Sequence, residues 1–178
     1  MIPTLTWFGV HAMFVSLRQI LFARVINLDS RPDRWAAVKH LGIERLSATR
    51  VSNQDALQHL CLRTQAELVA GRRVAEGIPN GGAVGCSLSH IELWRQFLAS
   101  DATYCLALED DVRTTKDDLE RLVLWFQGRD DWDIGLLGWT TPLKRSLLLH
   151  PTDPHRIVPW PRGQSFYGSH AYMLTRPA

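Results

Sequence analysis

Two rhythms of apolar residues run along the chain. Short continuous apolar runs bounded by polar clusters predict buried strands, whereas apolar stripes repeating every three or four residues predict helices packed on one face. Residues 24–29, RVINLD, form the first such run. Ser30 followed by Asp33 makes a capping-box-like start, and Pro32 is tolerated in the first turn. Trp35, Val38 and Leu41 then mark one helix face, which Gly42 stops. Residues 43–51 hold a second short strand, and residues 54–70 predict a helix ending at Gly71.

Residues 77–85, GIPNGGAVG, predict a loop whose glycines suit close backbone approach to a ligand. Neither the phosphate-loop nor the dinucleotide fingerprint is present there. Residues 86–100 predict a helix with Leu88, Ile91, Trp94 or Arg95, and Leu98 along one stripe, which puts Ser87, Ser89 and His90 in its first turn beside the positive end of the helix dipole. The run Tyr104 to Leu108 is a strand that stops in three carboxylates, Glu109, Asp110 and Asp111. Thr115 with Asp118 opens another helix, with Leu119, Leu122, Val123 and Phe126 as its stripe and Gly128 as its end. A further buried strand is predicted over residues 132–139, an irregular segment over 140–163, which carries five of the nine prolines, and a last strand over 164–175. Strands alternating with helices predict an α/β fold with a mainly parallel sheet flanked by helices.

Composition narrows the function classes. At 178 residues the chain fits one domain, and 46% hydrophobic with 21% charged residues excludes a disordered, solvating chain. A net charge of +2 without a basic run argues against nucleic acid as a partner. Three cysteines, Cys61, Cys86 and Cys105, lack the spacing of a zinc motif and read as reduced thiols in a cytoplasmic protein. Residues 1–23 are apolar but interrupted by Pro3, His11 and Arg18. They read as an N-terminal extension, with a peripheral, membrane-apposed helix as the alternative.

The chemistry gathers at the acidic strand end. In open α/β sheets ligands bind outside the carboxyl ends of the strands, and a divalent cation bridging phosphates takes one or two carboxylates from the protein. Strict alternation along an extended segment would put Glu109 and Asp111 on one side as a metal clamp and Asp110 on the other as a brace. A solvated strand end followed by a helix cap accounts for the same residues without a metal. For His90, a core hydrogen bond weighs equally against a ligand-binding role.

Four segments, VINLDSRPDRW, GAVGCSLSHIELW, LALEDDV and YGSHAYMLTRPA, follow one another in the order and at the intervals of glycosyltransferase family 25, which they resemble. That family holds bacterial lipooligosaccharide galactosyl- and glucosyltransferases and related collagen galactosyltransferases. The resemblance implies a GT-A-like nucleotide-diphospho-sugar transferase over residues 24–178, incomplete at its C-terminus because the family pattern continues past the last motif. It implies a UDP-hexose donor, Mn²⁺ or Mg²⁺, a saccharide or lipid-linked saccharide acceptor in lipopolysaccharide assembly, and a place on the cytoplasmic side of the inner membrane. Carried onto this chain, the family's donor-binding positions are Asp29, Arg34, Ser89, His90, Glu109, Asp110 and His170, its metal ligands Glu109 and Asp111, and its last strand Gly168 to Tyr172. An inverting transfer needs a base for the acceptor hydroxyl. Asp133, in the next predicted strand, and His90 are the catalytic candidates. A binding domain without turnover and, ranked lower, a metal-dependent phosphohydrolase remain the competing readings.

Overall fold

The computed structural model describes residues 21–70, 80–127, 129, 131–137 and 170–176. The extension up to residue 20, the loop residues 77–79, the whole proline-rich segment and Gly168 lie outside them. Strand β1 (Leu21–Asn27) leads to helix α1 (Pro32–Val38), β2 (Arg45–Ser47), the short helices α2 (Asn53–Ala56) and α3 (Leu62–Val69), the long helix α4 (Gly81–Ala99), β3 (Tyr104–Glu109), α5 (Lys116–Gln127), β4 (Ile134–Leu136) and β5 (Ala171–Thr175). The sheet order is β2-β1-β3-β5-β4. Among the described residues no helix is long and apolar enough to cross a membrane.

Two of the four ladders, β1 with β2 and β1 with β3, are parallel. The other two are antiparallel, because β5 runs against both β3 and β4. The sheet is therefore mixed, where the strand-helix alternation predicts a mainly parallel one. β1 begins at Leu21, so Leu21 to Ala23, assigned above to an extension, pair with Tyr104 to Leu106 and belong to the sheet.

The central strands are apolar throughout because both faces are covered. Leu106, Leu108 and Met173 pack with Val25 under α1 and α5, beside Val38, Leu119, Val123 and Phe126. Cys105, Ala107 and Tyr172 pack with Phe22 and Ile26 under α4, beside Leu93 and Phe97. This two-sided burial is the reason no polar alternation shows in β3. β4 departs from the expected buried strand. It is a three-residue edge strand, with Ile134 exposed and Gly135 buried beneath the Phe126 ring.

Local signals set the helix ends with mixed success. Gly42, at φ +68°, closes the turn after α1 in the left-handed conformation its position requires. The Thr115 hydroxyl accepts from the Asp118 amide before α5, as its sequence predicts. Ser30 does not cap α1; its N-cap is Arg31, without a side-chain cap. The predicted helix over 54–70 breaks into α2, a 3₁₀ turn and α3, and Ser52 caps its first piece by accepting from the Asp55 amide.

The largest correction concerns the glycine run. Gly81 to Gly85 are helical, and Asn80 caps α4 by accepting from the Ala83 amide. Gly81 and Gly85 lie one turn apart on the face that meets the loop after β2. A Cβ on Gly85 would sit 2.5 Å from the Thr49 carbonyl oxygen, and one on Gly81 would sit 2.2 Å from that of Val51. Close helix-to-loop packing accounts for these glycines. The buried stripe follows from them and runs Val84, Gly85, Ser89, His90, Leu93 and Phe97, while Leu98, expected inside, is 61% exposed. Gly85→Ala is expected to lower Tm by about 2–6 °C. Overpacking against backbone costs about 1–3 kcal/mol, which outweighs the roughly 1 kcal/mol gained in helix propensity. A thermal melt showing an unchanged or higher Tm would mean that propensity dominates.

Candidate functional site

The topology makes a crevice before any side chain is considered. From β1 the chain crosses through α1 to β2 on one side, and β3, reached through α4 on the opposite face, pairs on the other side of β1. The strand order therefore reverses at β1 and β3, and such a switch point opens a ligand crevice at the carboxyl ends of the two strands. β1 ends there in Asn27, Leu28 and Asp29, and β3 in Glu109, Asp110 and Asp111.

The pleat sorts the first two acids. Glu109 continues the side of Cys105 and Ala107 and faces α4, where its Oε1 lies 3.4 Å from His90 Nε2 and 4.0 Å from Cys86 Sγ. Asp110 continues the side of Leu106 and Leu108 and faces α1. It accepts from Asn27 Nδ2 at 2.7 Å and from Arg34 Nη1 at 2.9 Å, and its side chain is 10% exposed. Asp111 breaks the expected alternation. The Val112 amide donates to the Glu109 carbonyl, closing a turn, and Asp111 instead lies 3.8 Å from Arg34 with its side chain 52% exposed. Glu109 and Asp111 thus have different neighbours, and Arg34 is engaged by the two aspartates.

The other predicted residues separate into those near the crevice and those elsewhere. Asp29 is exposed and accepts from Arg45 at 2.6 Å and from the Ser47 hydroxyl at 2.8 Å, tying the ends of β1 and β2 together. Ser89 is fully buried in the third turn of α4, where its hydroxyl donates to the Gly85 carbonyl and accepts from the Thr49 amide. His170 sits just before β5, its carbonyl accepting from the Glu109 amide at 2.8 Å. With Asp111, Val112, Leu119 and Leu137 it lines a cavity of about 370 Å³. Asp133 is not brought to the acids. It precedes β4, its carbonyl accepts from the Thr175 amide, and Thr175 is level with Tyr104 at the start of β3. Five residues of strand, about 16 Å, separate that level from Glu109.

His90 is buried in the middle of α4 and not at its N-terminus, so the helix dipole does not act on it as predicted. Its Nδ1 lies 2.8 Å from the Tyr172 hydroxyl, which also accepts from Trp94 Nε1 at 2.8 Å. Burial disfavours a charged ring, yet hydrogen bonds and charge from Cys86 and Glu109 outweigh it and raise the His90 pKa to about 9. Tyr172 is pushed above the usual phenol range, chiefly by burial.

Cys86 is the residue that sequence reasoning missed. A core thiol is expected there, but only Cys105 is one; burial pushes its pKa up to about 12. Cys86 is half-buried, and one ligand atom each from Cys86, His90 and Glu109 lie within 4.8 Å of one another. The four-residue spacing of Cys86 and His90, once both are placed inside one helix, was the available signal.

Residues 22–128, more than half of the chain, match the model of glycosyltransferase family 25 (LPS biosynthesis protein). The match takes in both sides of the crevice, from β1 through the three acids to the end of α5; Asp133 and His170 fall beyond it. A search of curated proteins finds no match.

Proposed function

The chain belongs to glycosyltransferase family 25, and on that premise we propose that it moves a hexose from a UDP-sugar to a saccharide acceptor in lipopolysaccharide assembly. The observation that carries the reading is the placement of three carboxylates at the switch point of the sheet, within the matched region. A GT-A-like arrangement is the finer form of this proposal, with the nucleotide in the crevice between the ends of β1 and β3.

A hard divalent cation suits this end of the sheet. Glu109 and Asp111 offer carboxylate oxygens that reach solvent, and Mn²⁺ or Mg²⁺ needs only one or two of these. Such an ion would supply neutralisation of charge on the departing diphosphate. Arg34 adds a half-exposed guanidinium on the same side as Asp111, placed to meet a phosphate oxygen. Asp110 holds Arg34 in position. Asp29 and Ser89 act by fixing the β2 end and the α4 register, and His170 lies at the cavity beside Asp111. In an inverting transfer the acceptor oxygen bonds to the anomeric carbon as its bond to the diphosphate breaks, and the hydroxyl proton passes to a base. Asp133, at the opposite end of the sheet, is not given that role. His90, 3.4 Å from Glu109, orients that carboxylate instead.

Incubation with UDP-galactose or UDP-glucose, with and without Mn²⁺, tests the reading. Expected results are metal-dependent release of UDP and a higher Tm with UDP and Mn²⁺ together, since a ligand at 100 times its Kd stabilises by about 2.7 kcal/mol. Metal-dependent UDP binding without turnover would reduce the protein to a nucleotide-sugar-binding domain. If UDP and Mn²⁺ leave Tm unmoved, the nucleotide-sugar reading fails.

A further inference from the structure

We propose that Cys86, His90 and Glu109, the last shared with the crevice, form a second kind of metal site, a thiolate-imidazole-carboxylate set for a borderline divalent transition ion such as Zn²⁺. Nothing in the transfer chemistry above requires a thiol. Cys86 and His90 are four residues apart on α4 and so project from one helix face, which meets the end of β3 where Glu109 emerges. Their spacing is close to what an ion needs. Zinc bonds of roughly 2.0–2.3 Å in tetrahedral geometry put nitrogen and oxygen ligands about 3.4 Å apart, and sulfur and oxygen ligands about 3.6 Å apart. The corresponding distances here are 3.4 Å and 4.0 Å. All three ligand atoms lie within 4.8 Å of one another, so side-chain shifts of about an ångström bring the set onto one centre.

A second observation points the same way. Histidine ligands are normally oriented by a hydrogen bond at the opposite ring nitrogen. His90 has that support: Nδ1 meets the Tyr172 hydroxyl, which is itself fixed by Trp94, and Nε2 is thereby aimed at Glu109. This arrangement also argues against a cysteine nucleophile relayed through histidine to a carboxylate. Such a relay puts thiol and carboxylate on opposite ring nitrogens, and here Tyr172 occupies the nitrogen opposite Glu109. Thiolate and imidazole select Zn²⁺ or Co²⁺ over Mn²⁺ or Mg²⁺, which prefer oxygen donors. Three protein ligands leave one position for water or a ligand oxygen.

The site is read by metal spectroscopy and not by sugar transfer, so its failure is separate from failure of the proposed reaction. Co²⁺ is titrated into the reduced, untagged full chain. One equivalent is expected to bind with a thiolate-to-cobalt charge-transfer band and the intense visible bands of a tetrahedral ion, and Zn²⁺ is expected to abolish both. Cys86→Ser should lose the charge-transfer band, whereas Cys61→Ser should keep it. Absence of that band in the wild type, or its survival in Cys86→Ser, overturns the proposal. A readout without substitution guards against a misfolded variant: Zn²⁺ should slow alkylation of Cys86 at least tenfold while leaving exposed Cys61 reactive. Equal alkylation of Cys86 with and without Zn²⁺ overturns the proposal as well.

Discussion

Asp111→Asn is expected to lower hexose transfer by about 10²–10³-fold while leaving the fold intact. The size follows from the role. A group that helps neutralise charge developing on a leaving diphosphate acts in the transition state, and loss of one such contact typically costs that much in kcat. The preserved fold follows from the geometry. Asp111 is half exposed, its ion pair with Arg34 is long at 3.8 Å, and exposed ion pairs contribute about 0–1 kcal/mol. Steady-state kinetics at saturating Mn²⁺, read beside circular dichroism and a thermal melt, check both halves. Transfer within tenfold of wild type would remove Asp111 from the metal and leave Glu109, with its α4 neighbours, as the acid that matters.

What the sequence disclosed depended on how local the cause was. The apolar run into Glu109, the Gly42 stop and the Thr115 cap are each set within a few residues, and each was legible. The start of α4 was not, because glycine is a poor helix former. Only the Thr49 to Ser52 loop, pressed against Gly81 and Gly85, explains why nothing larger fits there. That five-residue shift rotated the expected stripe, took His90 out of the first turn and hid its pairing with Cys86. Asp133 lies away from the acids for a related reason. Adjacency in sequence placed it in the next strand, but the strand order inserts β5 between β3 and β4, and the register sets Asp133 at the far end of the sheet. The acid triplet was legible as chemistry and Asp110 as its brace, whereas the separation of Asp111 from Glu109 needed the turn that the Val112 amide closes.

Asp110→Ala is expected to do the reverse of Asp111→Asn and cost about 2–3 kcal/mol of stability. Asp110 joins three elements: it ends β3, accepts from Asn27 at the end of β1 and accepts from Arg34 on α1. Breaking a buried ion pair by removing one partner costs roughly 3–5 kcal/mol, because the other charge stays desolvated. That figure is discounted here because the Arg34 side chain is 41% exposed and water can take over part of its solvation. Asn27 offers no such relief. It is fully buried, its Oδ1 has no partner among the described residues, and after the substitution its Nδ2 would keep only the Arg31 carbonyl at 3.1 Å. Tm should therefore fall by about 4–10 °C. Asp110→Asn, which keeps an acceptor oxygen but gives up the charge, should cost less. A double-mutant cycle with Arg34→Ala should return a coupling of about 1 kcal/mol or more, since the two side chains touch. If Asp110→Ala instead melts with the wild type and loses transfer alone, Asp110 is no brace, and the crevice carries all three acids toward the donor.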